Sequence, residues 1–167
     1  MIIVSDTSPL SNLTLVDHLF LLQEIYQTVI IPKAVAEELA NAQTDEPSIA
    51  AVLSLDWVTV KNAQNVALIA ELRNEYLLDR GESEAIALAL ELNAEELLID
   101  ERLGRREAAR LGISMTGVLG ILLIAKRRGL IAAVRPVMDE LITVAKFRVS
   151  RQLYTEVLTA ANESPTD

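Results

Sequence analysis

Apolar residues in this chain fall into short runs separated by stretches of helical spacing. Ile2-Ile3-Val4 leads through Ser5 into Asp6 at the start of the chain. Val29-Ile30-Ile31, residues 57–60, Leu97-Leu98-Ile99 and residues 113–115 are the later runs. Runs of this kind read as strands buried on both faces, the pattern of a parallel sheet. Between them the spacing predicts helices. Ser8-Pro9 reads as an N-cap and first helical position, followed by Leu10 and Leu13 and later by residues 19–22. Pro32 opens a helix whose Val35 and Leu39 face a core, residues 41–47 form a polar turn, and a short helix runs to Leu53. Residues 66–77 are helical until Asp79-Arg80-Gly81 breaks them. Residues 82–92 form a strong Ala- and Leu-rich helix ended near Asn93. The next helix ends at Leu111-Gly112, where Gly is the expected residue just past a helix. Two or three helices fill the remainder, and 162–167 reads as a frayed tail. Strands alternating with helices predict an α/β fold, a parallel sheet covered on both faces, in one domain over residues 1–161.

Two of the strands run straight into a carboxylate, Asp6 and Asp100. In open α/β sheets ligands bind beyond the carboxyl ends of the strands, so both acids project at the binding edge. Acids brought together from distant sequence repel unless a cation or proton lies between them. Glu37, Glu38, Glu82 and Glu84 fall near predicted helix starts, where acids are common and usually only cap. Asp6 and Asp100 are harder to explain that way, because a charge directly after a buried strand requires a partner. Four acids at one edge supply hard oxygen ligands, suited to Mg²⁺ or Mn²⁺ rather than Zn²⁺.

Charge changes the picture further. The chain of 167 residues carries −9 overall. Residues 102–135 hold eight basic side chains against the single acid Glu107, a local +7 that leaves −16 for the rest. An acidic cluster beside a positive surface suits metal-dependent work on phosphodiesters. The plainer reading of Lys126-Arg127-Arg128 is a favourable position in the last turn of a helix before Gly129. Arg105, Arg106 and Arg110 likewise read equally well as a solvated helix face.

Other chemistries find no foothold. The absence of cysteine excludes disulfides, thiolate metal sites and a Cys nucleophile. His18 is the single histidine, with no Gly-x-Ser-x-Gly elbow, which argues against a Ser-His-acid hydrolase. The turn after the first strand has no glycine, against a Rossmann or P-loop site. A phosphatase built on Asp6 often has a second acid two residues on, where this chain has Ser8; a receiver domain places its Asp after a middle strand. The N-terminus lacks the basic region of a signal peptide, and the run over residues 115–125 is short of the ~20 residues a membrane span needs. A cytoplasmic protein with no membrane association is the expectation.

The order of motifs carries a resemblance over nearly the whole chain. A strand with Asp6-Thr7-Ser8 comes first, then Ile31-Pro32-x-x-Val35-x-x-Glu38-Leu39. Next comes Gly81-Glu82-Ser83-Glu84-Ala85-Ile86-Ala87-Leu88-Ala89. Leu98-Ile99-Asp100-Glu101-Arg102 and Phe147-Arg148-Val149-Ser150 follow. Together these resemble the PIN domain family and its VapC-type toxin ribonucleases, most closely a bacterial PIN-like subgroup designated a domain of unknown function. The resemblance implies a three-layer α/β/α sandwich with a five-stranded parallel sheet, and RNA cleavage by activated water with Mg²⁺ or Mn²⁺. Carried onto this sequence, it makes Asp6, Glu38, Glu82 and Asp100 the catalytic and metal-holding acids. Glu84 and Glu101 are secondary, and Thr7 or Ser8 orients Asp6. Arg102, Arg105 and Arg106 are candidate contacts to the RNA backbone. The family also implies a toxin role, a small antitoxin partner and a homodimer. The rival reading is a catalytically silent PIN-like module that binds RNA or protein.

Overall fold

The apolar runs form the sheet they predict. A computed structural model describes residues 1–42 and 46–164. In it, β1 (Ile3–Ser5), β2 (Val29–Pro32), β3 (Val58–Lys61), β4 (Glu96–Leu98) and β5 (Met115–Thr116) make one all-parallel sheet in the order β3-β2-β1-β4-β5. The first strand made is therefore the central one. The chain builds outward to β2 and β3 on one side, then crosses to β4 and β5 on the other. The reversal leaves a crevice beyond the ends of β1 and β4.

Alternation along each strand sorts side chains between two layers. Ile3, Val29, Ile31 and Leu98 face a core built with α1 (Thr7–Leu15), α2 (Phe20–Tyr26), α3 (Lys33–Asn41), α4 (Pro47–Ala50), α8 (Val118–Arg127), α9 (Val134–Thr143) and α10 (Arg151–Ala160). Val4, Leu97 and Ile99 face the other core, with α5 (Val66–Asn74), α6 (Arg80–Glu91) and α7 (Arg102–Arg110). This is the expected three-layer α/β/α arrangement. No helix among the described residues is long and apolar enough to cross a membrane.

Several boundaries differ from the sequence reading, each for a local reason. Helix α1 begins at Thr7 with Asp6, not Ser8, in the extended cap conformation (φ −77°, ψ 175°). Pro9 then sits at the third helical position, where its missing N–H is one of the unpaired first-turn donors in any case. Residues 79–81 do not break a helix; they start one. Helix α5 stops at Asn74, and Leu77 in the left-handed region (φ 61°) lets the Leu78 N–H reach Leu72 O at 3.1 Å. Asp79 then caps α6 through a reciprocal box with Glu82. Strand β5 starts at Met115 because Ile113 N–H closes the end of α7 on Ala108 O (2.9 Å), with Gly112 at φ 76° as anticipated. Of the expected turn at 41–47, residues 43–45 lie outside those described, while Asn41 ends α3 and Pro47 starts α4.

The expected frayed tail is anchored at Glu163. Its carboxylate accepts the first N–H groups of α9, from Val134 (2.7 Å) and Arg135 (3.0 Å), and pairs with Lys126 at 3.1 Å. Residues 165–167 lie outside the described ones.

Candidate active site

The crevice is acidic because four elements deliver carboxylates to it. Asp6 follows β1, and its backbone N–H donates to Leu98 O at 2.9 Å, locking the ends of the two central strands together. Its side chain is only 4% exposed and, as N-cap of α1, takes no side-chain capping bond. Burial pushes the Asp6 pKa up to about 8, the Thr7 N–H works against this, and Glu82, Asp79 and Glu38 add repulsion. At neutral pH Asp6 holds a proton.

Glu82 comes from the first turn of α6 and is 7% exposed. Burial and then the charge of Asp79 raise its pKa to about 7. One oxygen also accepts the Asp79 N–H at 3.3 Å. Glu38 projects from α3 and accepts a short hydrogen bond from the Thr7 hydroxyl. Burial, opposed by that bond and reinforced by Asp79, holds its carboxyl above the usual range. Glycine at position 81 makes room for it: a Cβ there would stand 2.5 Å from Glu38 Oε1.

Asp100 follows β4 and is held differently. Its Oδ1 accepts the Val118 N–H at the start of α8, at 2.8 Å. Gly117 allows this approach, since a Cβ would fall 2.8 Å from the same oxygen. Burial raises the Asp100 pKa, while the Val118 N–H, Arg105 and Ser8 lower it. Ser8 reaches Oδ2 at 3.4 Å and is itself held by Asn12 Nδ2 at 3.0 Å.

The four expected acids sit in two environments. Asp6, Glu38 and Glu82 repel one another directly, with Asp79 as an acid the sequence reading passed over. Asp100 leans toward α8 and Arg105. The two hydroxyls do not orient Asp6: Thr7 holds Glu38 and Ser8 holds Asp100. Of the two candidates on α6, Glu82 is the one beside Asp6. Glu84 turns away, its Oε1 accepting the Ala34 N–H at 3.0 Å and its Oε2 pairing with Arg80 at 2.8 Å. Arg80 also holds Glu37 at 2.6 Å. Exposed Glu101 occupies the N-cap position of α7 without a side-chain capping bond and adds charge near both Glu82 and Asp100. Asp79 was legible after all, because Asp-x-x-Glu ahead of an apolar helix is a capping-box signature.

The basic candidates lie on α7. Arg105 Nη1 donates to Ile99 O at 2.9 Å, beside Asp100. Arg102, Arg105 and Arg106 line one side of a shared cleft. Two of the eight basic groups are held there by Glu107, buried at 2% exposure, which binds Arg106 (3.2 Å) and Arg110 (2.6 Å). Lys126 and Arg128 leave the rim altogether: Lys126 binds Glu163, and Arg128 reaches Ile25 O at 3.4 Å.

The donor set is all carboxylate oxygen, with no cysteine and its one histidine elsewhere, so its chemistry fits a hard divalent cation. The buried, mutually repelling acids and the glycine cradles at 81 and 117 are consistent with that fit. Among the described residues no three of these side chains already close on one point.

An acidic crevice at the reversal point of a five-stranded parallel sheet is the arrangement of a PIN-type nuclease fold. A family model, DUF3368, described as a PIN domain, matches residues 2–163, and the chain belongs to that PIN domain family. No curated protein matches the chain significantly.

Proposed function

We propose that the protein is an Mg²⁺- or Mn²⁺-dependent endoribonuclease, with Asp6, Glu38, Glu82 and Asp100 as the acids that hold the cation. The observation that supports this most is the burial of Asp6 among Glu82, Asp79 and Glu38, an arrangement so costly that the carboxyl keeps its proton up to about pH 8. A fold that maintains such a cluster against its own repulsion gains stability from any dication that enters.

When bound, the cation supplies water activation and charge neutralisation at the phosphate. The protein's own groups do the rest. Glu82, buried beside Asp6, is the carboxylate placed to take a proton from the attacking water. Thr7 and Ser8 fix Glu38 and Asp100, so less reorganisation is needed on binding. Arg105, pinned to Ile99 O next to Asp100, offers a fixed positive charge to the substrate backbone. Toxin action checked by a small antitoxin, and a homodimer, are the finer parts of this reading.

A silent RNA- or protein-binding module is the second reading, and it draws on one observation: no three acids have converged among the described residues. The experiment that separates the two is cleavage of a labelled RNA with and without Mg²⁺ or Mn²⁺. Metal-dependent cutting that is lost in Asp6→Asn supports the nuclease. Absence of cutting by the wild type with either metal refutes it.

A further inference from the structure

The acidic crevice continues into a cleft of about 630 Å³ that begins at Asp100 and Arg105. It runs along the start and exposed side of α8 to Arg127, and is walled by Phe147, Arg148 and Leu153 from the C-terminal part of the chain. Arg105 also lines the neighbouring cleft with Arg102 and Arg106, so the two form one track past Asp100. Three features separate this cleft from an ordinary apolar gap. First, Arg127 and Arg148 are exposed and, among the described residues, have no carboxylate within ion-pair distance, although the chain carries nine net negative charges. The flanking cations are treated differently, since Lys126 is tied to Glu163 and Arg128 to the backbone of Ile25.

Second, Phe147 is one of only two phenylalanines in the chain, and it is presented deliberately. The residue before it, Lys146, sits in the left-handed region (φ 59°), and the Phe147 N–H closes on Leu141 O at 2.9 Å. Three residues later the Ser150 hydroxyl caps α10 by accepting the Leu153 N–H at 3.1 Å. The short segment is thus pinned at both ends, with the ring half-buried against the core and lining the cleft. Third, glycines at 117 and 120 keep the near end of the floor low.

Two unpaired guanidinium groups around a fixed aromatic ring, continuous with an acidic site, match a polyanion with exposed flat bases. A duplex keeps its bases stacked on one another and cannot offer one to Phe147. We propose that this cleft is a single-stranded RNA subsite, in which Phe147 stacks an unpaired base and Arg127 and Arg148 hold the flanking phosphates. It rests on the ribonuclease reading of the adjoining acids and adds the part of the substrate read beyond the scissile bond.

The test is binding of a fluorescent 12-nucleotide single-stranded RNA in EDTA, read by anisotropy, beside metal-dependent cleavage of the same RNA. Phe147→Ala should weaken binding about five- to hundredfold, and Phe147→Trp should restore it. The double variant Arg127→Ala/Arg148→Ala should reduce the slope of log K against log salt by about 1.4, the loss of two single-strand phosphate contacts. Thermal melts establish that each variant is folded. Affinity and salt slope unchanged in both variants would overturn the subsite, and cleavage retained in them would leave the nuclease reading intact. The same result is expected if the cleft instead receives a protein segment. Wild type that binds RNA with this Phe147 and arginine dependence but never cuts would sustain the subsite and refute the nuclease. Wild type that binds no RNA would overturn both.

Discussion

Replacing Asp6 with Asn should make the metal-free protein more stable at neutral pH and above, although it changes a buried residue. The wild-type carboxyl moves from 3.8 to about 8 on folding, with burial as the main cause. Between those values the native state keeps a proton the unfolded chain has lost, so stability falls as pH rises from about 4 through 8. At about 1.4 kcal/mol per pH unit, the shift amounts to a cost of about 4 kcal/mol at pH 7 and about 1–2 kcal/mol at pH 5. Asparagine has the same shape and never ionises. Its amide needs partners of its own, which offsets ~1–3 kcal/mol, so a net gain of ~1–3 kcal/mol at pH 7 is expected. For a chain of this size each kcal/mol moves the melting temperature by ~2–4 °C. The assay is urea unfolding in EDTA, followed by circular dichroism, for both proteins at pH 5, 6, 7 and 8. The advantage of the variant should grow steadily across that series. A difference that is flat with pH, or that turns against the variant as pH rises, would refute the reasoning from burial.

At a fixed concentration Mg²⁺ or Mn²⁺ should raise the wild-type melting temperature more at pH 8 than at pH 6, the stabilisation reaching about 2.7 kcal/mol at a hundred times the dissociation constant; Asp6→Asn should lose most of this response in the same scan. Gly81→Ala should cost little stability, because the contact is with the far end of the flexible, only partly buried Glu38 side chain, which can swing aside, while alanine favours the helix by up to ~1 kcal/mol. Its cleavage rate should nonetheless fall at least about tenfold, as expected for a misplaced catalytic group; full activity in a kinetic assay would show that Glu38 is dispensable. Glu163→Ala should lose ~1–2 kcal/mol in urea melts through the α9 cap and the Lys126 pair, with cleavage unchanged, since it lies away from the crevice.

The alternation of apolar runs exposed the sheet, its parallel sense and both helical layers, because strands buried on two faces leave a signature that does not depend on partners. Asp6 and Asp100 were legible for the same reason: a charge directly after such a run has few structural uses. What the sequence concealed was decided by single hydrogen bonds. Whether Thr7 serves Asp6 or Glu38 depends on where α3 passes, which no local pattern encodes. Residues 79–81 contain glycine after a polar pair and so resemble a break, yet Asp79 and Glu82 close a box that begins a helix. The basic residues were visible as a count but not as a surface. Glu107, Glu163 and the Ile25 carbonyl remove some from the rim and leave Arg127 and Arg148 in the cleft.

The central place of β1 in the sheet sets an order on the birth of the crevice. A domain folds as a unit as the ribosome releases it. Here Asp6 follows β1, but the neighbouring strand β4 ends at Leu98, and the N–H that steadies Asp100 belongs to Val118. A nascent chain therefore exposes Asp6 long before the surrounding carboxylates can assemble about it. The crevice is complete only once the chain has been made through the start of α8.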